Sequence, residues 1–147
     1  MTKIVAIKKE VMIVVVGSVD IGVIDAEAAA AAKITAAAIR LPEGVPGPNG
    51  YGLLHVESNE RRMKAIRGLQ FAGAEAFIHD IAQNWVAIVA GENGRLVLVR
   101  EIPGYGLRAV VGFTEHNGVP CWSVVTALPA RRIGPNETVL FRKKTVG

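Results

Sequence analysis

Residues 95–118 run Arg95-Leu-Val-Leu-Val-Arg-Glu-Ile-Pro-Gly-Tyr-Gly-Leu-Arg-Ala-Val-Val-Gly-Phe-Thr-Glu-His-Asn-Gly118. Arg95 to Glu101 is a strand built of Leu and Val between charged ends. Pro103-Gly-Tyr-Gly106 turns the chain, and Leu107 to Glu115 returns as a second strand. Asn117-Gly118 is a hairpin signal, because both central positions of a tight primed turn need positive φ. Trp122 to Leu128 is the third strand, Ala130 to Asn136 a basic loop and Glu137 to Lys143 the fourth strand. Hairpin-length connections between four strands predict an antiparallel meander. With helices upstream of it, the fold class reads as α+β: N-terminal helices packed on a C-terminal four-stranded antiparallel sheet.

Upstream of the meander, Phe77, Ile81, Trp85 and Ile88 recur at spacings of four, four and three. They predict an amphipathic helix from about Ala74 to Gly91, its stripe serving as core. Ser58 is placed to cap a shorter helix reaching Arg67, with Gly68 as its stop. That helix carries Arg61, Arg62, Lys64 and Arg67, which form either a solvated face or a set of phosphate contacts. Tyr51 to Glu57 is a further apolar stretch. Leu41 to Gly50, dense in Pro and Gly, excludes helix and central strand and is read as a loop. Ala26 to Arg40 holds nine alanines behind a capping Asp25, which predicts a helix. Lys3–Ile7, Val11–Val16 and Val19–Ile24 are Val- and Ile-rich and read as short strands. The organisation expected is an accessory segment over 1–41, a loop over 42–50 and the main α+β unit over 51–147, forming one compact whole.

The 147 residues suffice for one domain, and 50% of them are hydrophobic, enough for a real core. Seventeen Lys and Arg face thirteen Asp and Glu. The excess is uneven, since Arg95 to the C-terminus carries eight basic residues and three acidic ones. A half so biased favours a polyanionic partner, although solubility alone accounts for many mild excesses. One cysteine, Cys121, excludes an intramolecular disulfide and a thiolate-rich zinc site. Lys8-Lys9 ahead of Val11–Val16 resembles the start of a signal peptide. The apolar run breaks at Gly17-Ser18, however, and is too short to span a membrane.

From Tyr51-Gly-Leu-Leu-His55-Val-Glu57 onward the motifs fall in a familiar order. A short basic helix is followed by Phe71-Ala-Gly-Ala-Glu-Ala-Phe77, Gln83-Asn84-Trp85, the strand Gly94–Arg100, and Val124-Val-Thr126-Ala-Leu-Pro129. This order resembles the phage and polymorphic-toxin nuclease domains of the barnase/EndoU/colicin/RelE-like superfamily, over roughly Tyr51 to Lys143. The resemblance implies a small metal-independent ribonuclease of toxin or phage origin. It also implies an immunity or antitoxin partner and a cytoplasmic site of action reached through phage delivery or secretion. The family commonly has a second histidine five residues after the first; here that position is Glu60.

Metal-free RNA cleavage requires a base for the ribose 2′-OH, an acid for the leaving 5′ oxygen, and donors for the phosphate as charge builds. Matched to the family motif, His55 is the first choice for acid–base work. Glu57 would share a face with it on extended backbone, positioned to orient the imidazole or act as base. Arg61, Arg62 and Arg100 are the candidate phosphate clamps, since guanidinium suits bidentate contact. Thr126 joins the catalytic set as a hydrogen-bond donor from the sheet, and Ser123 is a further substrate contact. The plainer alternative for His55 is a satisfied, half-buried histidine, and for Thr126 a good strand residue. His79 and His116 read as surface groups. The three histidines lack ligand-like spacing, and there is no Walker-type loop or strand–glycine–helix order, so no metal or cofactor is expected. The partner expected is RNA, with tRNA among the candidates, and no membrane insertion. Two other readings stand beside the enzyme: a non-catalytic RNA- or protein-binding module on the same fold, and a phage structural or interaction protein.

Overall fold

The computed structural model describes residues 10–144, so the expected strand Lys3–Ile7 lies outside the described residues. Seven strands form one sheet, not four. They are β1 (Gly22–Ile24), β2 (Ala37–Arg40), β3 (Ala87–Ala90), β4 (Leu96–Ile102), β5 (Tyr105–His116), β6 (Val119–Ala130) and β7 (Val139–Arg142). Four helices accompany them: α1 (Ala26–Ala32), α2 (Gly52–Glu57), α3 (Glu60–Gly68) and α4 (Ala74–Asn84). The sheet order is β1-β2-β6-β5-β4-β3-β7, and every pairing is antiparallel except β2 with β6. The expected four-stranded antiparallel sheet under N-terminal helices is therefore replaced by a curled, mixed seven-stranded half-barrel. Helix α1 follows edge strand β1 yet lies against the opposite edge strand β7, which is the clearest sign of the curl.

Three local decisions account for the difference. The Ala-rich segment is helical only to Ala32. Lys33 then turns left-handed at φ 59, and residues 37–40 become a strand. Helix propensities among ordinary residues differ by at most about 0.7 kcal/mol each. Fully burying Ile39, with the free edge of β6 to pair against, is worth about 2 kcal/mol. The Trp122 Nε1–H fixes the break by donating to the Thr35 carbonyl at 2.8 Å.

The second decision ends α4 at Asn84, short of the expected Gly91. Trp85 is already extended, and the Val- and Ile-rich residues after it form β3. Phe77 and Ile81 keep their place on the buried face of α4, whereas Trp85 and Ile88 enter the core from beyond it. The β3–β4 turn carries Asn93 at φ 55 and Gly94 at φ 76, a second Asn-Gly pair with the same signal as Asn117-Gly118.

The third decision sends β7 to the far side of the sheet, against β3 instead of β6. Ion pairs hold the crossing segment. Arg108 grips Glu137 through both guanidinium nitrogens at 2.5 and 2.7 Å, and Arg132 and Arg142 both bind Glu101. Val11–Val16, expected as a strand, makes only isolated bridges, and Val19–Ile24 contributes the three residues of β1.

Residues 22–40 thus extend the same sheet and share the same core as the later elements. Gly22 allows α4 to lie directly on β1, because a Cβ there would stand 2.3 Å from the Ala82 carbonyl oxygen. Among the described residues no helix is long and apolar enough to cross a membrane.

The Arg108 guanidinium, helped by the Gly134 N–H, holds the Glu137 carboxyl down at about 2. Its stabilising contribution is therefore complete above the ordinary carboxylate range and is lost as pH falls from about 4.5 towards 2. Glu137→Gln is expected to cost about 1–3 kcal/mol at neutral pH. It should also flatten the acid limb of stability. Urea titrations of both proteins between pH 2 and 7 measure both effects.

Candidate functional site

The loop over residues 42–50 closes on α2 through one residue, Gly47. The Gly47 N–H donates to Ser58 Oγ at 2.9 Å, and the Gly47 carbonyl accepts from the His55 Nδ1–H at 2.7 Å. Ser58 Oγ in turn donates to the His55 carbonyl at 2.8 Å. Gly52, at φ 76, starts α2 close under the loop, where a Cβ would meet the Pro42 carbonyl oxygen at 2.6 Å. The Pro42 and Glu43 carbonyls accept the Leu53 and Leu54 N–H groups, so the loop caps the helix. Tyr51 to Glu57 is therefore mostly helix, not extended chain. Asn59, not Ser58, caps α3, its side chain accepting from the Arg62 N–H.

With Nδ1–H committed to a carbonyl, Nε2 of the neutral His55 ring is an acceptor, and it lies 3.1 Å from Thr126 Oγ1. Arg62 Nη1, which can only donate, reaches the same hydroxyl at 2.7 Å. The hydroxyl proton must then point at the imidazole. The result is a directed chain from Arg62 through Thr126 and His55 to the Gly47 carbonyl. All three side chains are half-buried, so none is sealed in the interior.

Thr126 owes its position to a bulge. Val110 faces Thr126 while Val111 faces Val124, which leaves Val125 as the extra residue of β6. Such bulges bend a strand and re-aim a side chain. The same slip changes the spacing of buried positions on β6 from Trp122 and Val124 to Ala127.

Burial lowers the proton affinity of the Arg62 guanidinium. Among the described residues it forms no ion pair with a carboxylate. A cation removed from water without a counter-ion favours an anion at its free face.

The other candidates are distributed differently. On helical backbone, residues two apart do not share a face. Glu57 accordingly lines a separate hollow with Val15, Ala72 and His79, away from the one that His55 lines with Ser58 and Glu60. Arg61 is exposed on α3. Arg100 is bound to Asp80 of α4. Ser123 lines a larger open cleft of about 780 Å³ beside the loop. His116 is engaged, not solvated: its Nδ1 accepts from Arg40 at 3.2 Å and its Nε2–H donates to the Glu10 carbonyl at 3.1 Å. Sequence reasoning gave Gly47 and Ser58 no part in this site. The Pro/Gly density of residues 42–50 was the signal that a tightly held loop was present. Among the described residues no three His, Cys, Asp or Glu side chains gather as a metal-binding group.

Comparison with protein-family models, curated proteins and solved structures found no match.

Thr126→Val keeps the shape and removes the hydroxyl, leaving one Arg62 N–H and His55 Nε2 without this partner. The expected cost is about 1 kcal/mol in urea unfolding, with a shift of the His55 ring signals in NMR and none at His79. Unchanged His55 signals would show that the hydroxyl does not bond the imidazole.

Proposed function

We propose that the chain is a metal-independent ribonuclease whose reacting phosphate sits at His55, Thr126 and Arg62. One observation carries the reading: a half-buried guanidinium with no carboxylate partner among the described residues shares a hydroxyl with an imidazole of fixed tautomer. An entering phosphodiester meets the Arg62 charge and the Thr126 hydroxyl as donors to its non-bridging oxygens. Nε2, released from Thr126, takes the proton of the ribose 2′-OH. The 2′ oxygen attacks phosphorus as the P–O5′ bond breaks, solvent water supplies the proton for the leaving 5′ oxygen, and Nε2 returns its own to solvent, giving a 2′,3′-cyclic phosphate. The exposed Arg61, Lys64 and Arg67 of α3 carry positive charge on from Arg62 for neighbouring phosphates. The order of motifs from Tyr51 to Lys143 points to the same chemistry, although the sheet is not the one that resemblance implied. RNA is the partner this reading requires, and an inhibitory protein is the second partner that a toxin would have.

A non-catalytic RNA-binding module is favoured by one observation, the placement of Glu57 in a different hollow from His55. The two readings separate in one assay. Purified protein with excess EDTA is expected to convert tRNA or total RNA to products ending in cyclic phosphate. His55→Ala and Arg62→Ala should each slow this by about a hundredfold or more while the fold is retained by circular dichroism. Salt-sensitive binding without product supports the module, and cleavage undiminished in His55→Ala removes the site assignment.

A further inference from the structure

A cleft larger than the one that His55 lines opens elsewhere on the molecule. It lies on the other side of the 42–51 loop, between that loop, the β3–β4 turn and the surface of β5 and β6. Its volume of about 780 Å³ is within the range of small-ligand sites. Two aromatic rings border it, Tyr51 and Phe113, which are 37% and 46% exposed. Three aromatic rings, Tyr51, Tyr105 and Phe113, are well exposed, and two of the three share this opening. Phe113 is braced from behind by Trp122, with ring centroids 5.1 Å apart in an edge-on arrangement, so it is presented on a rigid support.

The lining also includes Asn49, Asn93 and Ser123, whose amides and hydroxyl can both donate and accept hydrogen bonds. The charges decide what part of a nucleotide fits. Arg95, Glu10 and Glu115 all line the cleft, a charge balance that does not favour phosphate. The Tyr51 hydroxyl already engages the Glu10 carboxylate. A flat, neutral, hydrogen-bonding heterocycle matches this lining, and stacking on aromatic rings with amide contacts to base edges is how unpaired bases are held.

We propose that this cleft seats one unpaired base of the RNA strand whose phosphate lies at Arg62. The link between the two is the loop itself. Gly47 is fixed to His55 and Ser58 on one side, while Asn49, Gly50 and Tyr51 line the cleft on the other. The proposal rests on the phosphate reading for the course of the strand, and on the cleft alone for the base.

The test uses a 2′-O-methyl trinucleotide with 2-aminopurine at its centre, which cannot undergo 2′-OH attack and loses fluorescence on stacking. Binding to the full chain is expected to quench it. Phe113→Leu keeps an apolar contact for Trp122 and removes the ring; it should weaken binding about tenfold and abolish most of the quenching. Arg62→Ala should weaken binding while the quenching at saturation persists. No quenching by the native chain, or equal affinity and quenching in Phe113→Leu, overturns the base site. RNA cleavage with an unaffected Phe113→Leu keeps the nuclease and discards the cleft. Quenching without cleavage of natural RNA does the reverse.

Discussion

A single glycine, Gly47, is clamped through both of its backbone polar groups on this face of the molecule. Gly47 gives its N–H to Ser58 and its carbonyl to the His55 imidazole. Because a carbonyl can only accept, the ring proton is committed to Nδ1, and Nε2 becomes an acceptor towards Thr126. The clamp therefore sets the loop, the imidazole tautomer and the direction of the Thr126 proton together. It also explains why α2 is short: its first free N–H groups are capped by Pro42 and Glu43 of the same loop, and its last turn supplies His55 and leads into Ser58. Removing the imidazole would release the loop from α2 on this side.

The guanidinium groups divide into two kinds, which shapes the electrostatics. Arg40, Arg100, Arg108, Arg132 and Arg142 are bound to carboxylates and hold distant parts of the half-barrel together. Arg61, Arg62, Lys64 and Arg67, all on α3, have no such partner among the described residues. From Arg95 on, Arg100, Arg108, Arg132 and Arg142 are thus bound structurally, while Arg95, Arg131, Lys143 and Lys144 form no ion pair among the described residues. The count of charges after Arg95 overstates the charge left available there, because a count cannot tell a paired arginine from a free one.

What was legible in the residues was local. The hairpins at Gly104 and Asn117-Gly118, the buried stripe of Phe77 and Ile81, and the short cationic helix all follow from periodicity and turn chemistry. Of the residues named as candidates, His55, Glu57, Thr126, Arg61, Arg62, Arg100 and Ser123, the structure brings His55, Arg62 and Thr126 into hydrogen-bond contact and sets the others apart. What could not be read depended on partners distant in sequence. Residues 37–40 are helix formers that became a strand because β6 offered an edge and the core offered Ile39 a place. Residues 87–90 continue a helical spacing, yet pair with β4 and β7. Glu57 looked adjacent to His55 only while the backbone between them was taken as extended. Arg100 looked free until Asp80 came within reach of it.

The central claim is that His55 presents an unprotonated Nε2 to an RNA phosphate, and the long-range ¹H–¹⁵N NMR spectrum of its ring reads this directly. The spectrum would be followed while a 2′-O-methyl RNA oligonucleotide is added. The account predicts the Nδ1–H tautomer in the free protein and a progressive shift of the Nε2 signal as the oligonucleotide binds. An Nε2–H tautomer, or an imidazole that does not respond at saturating RNA, would contradict it.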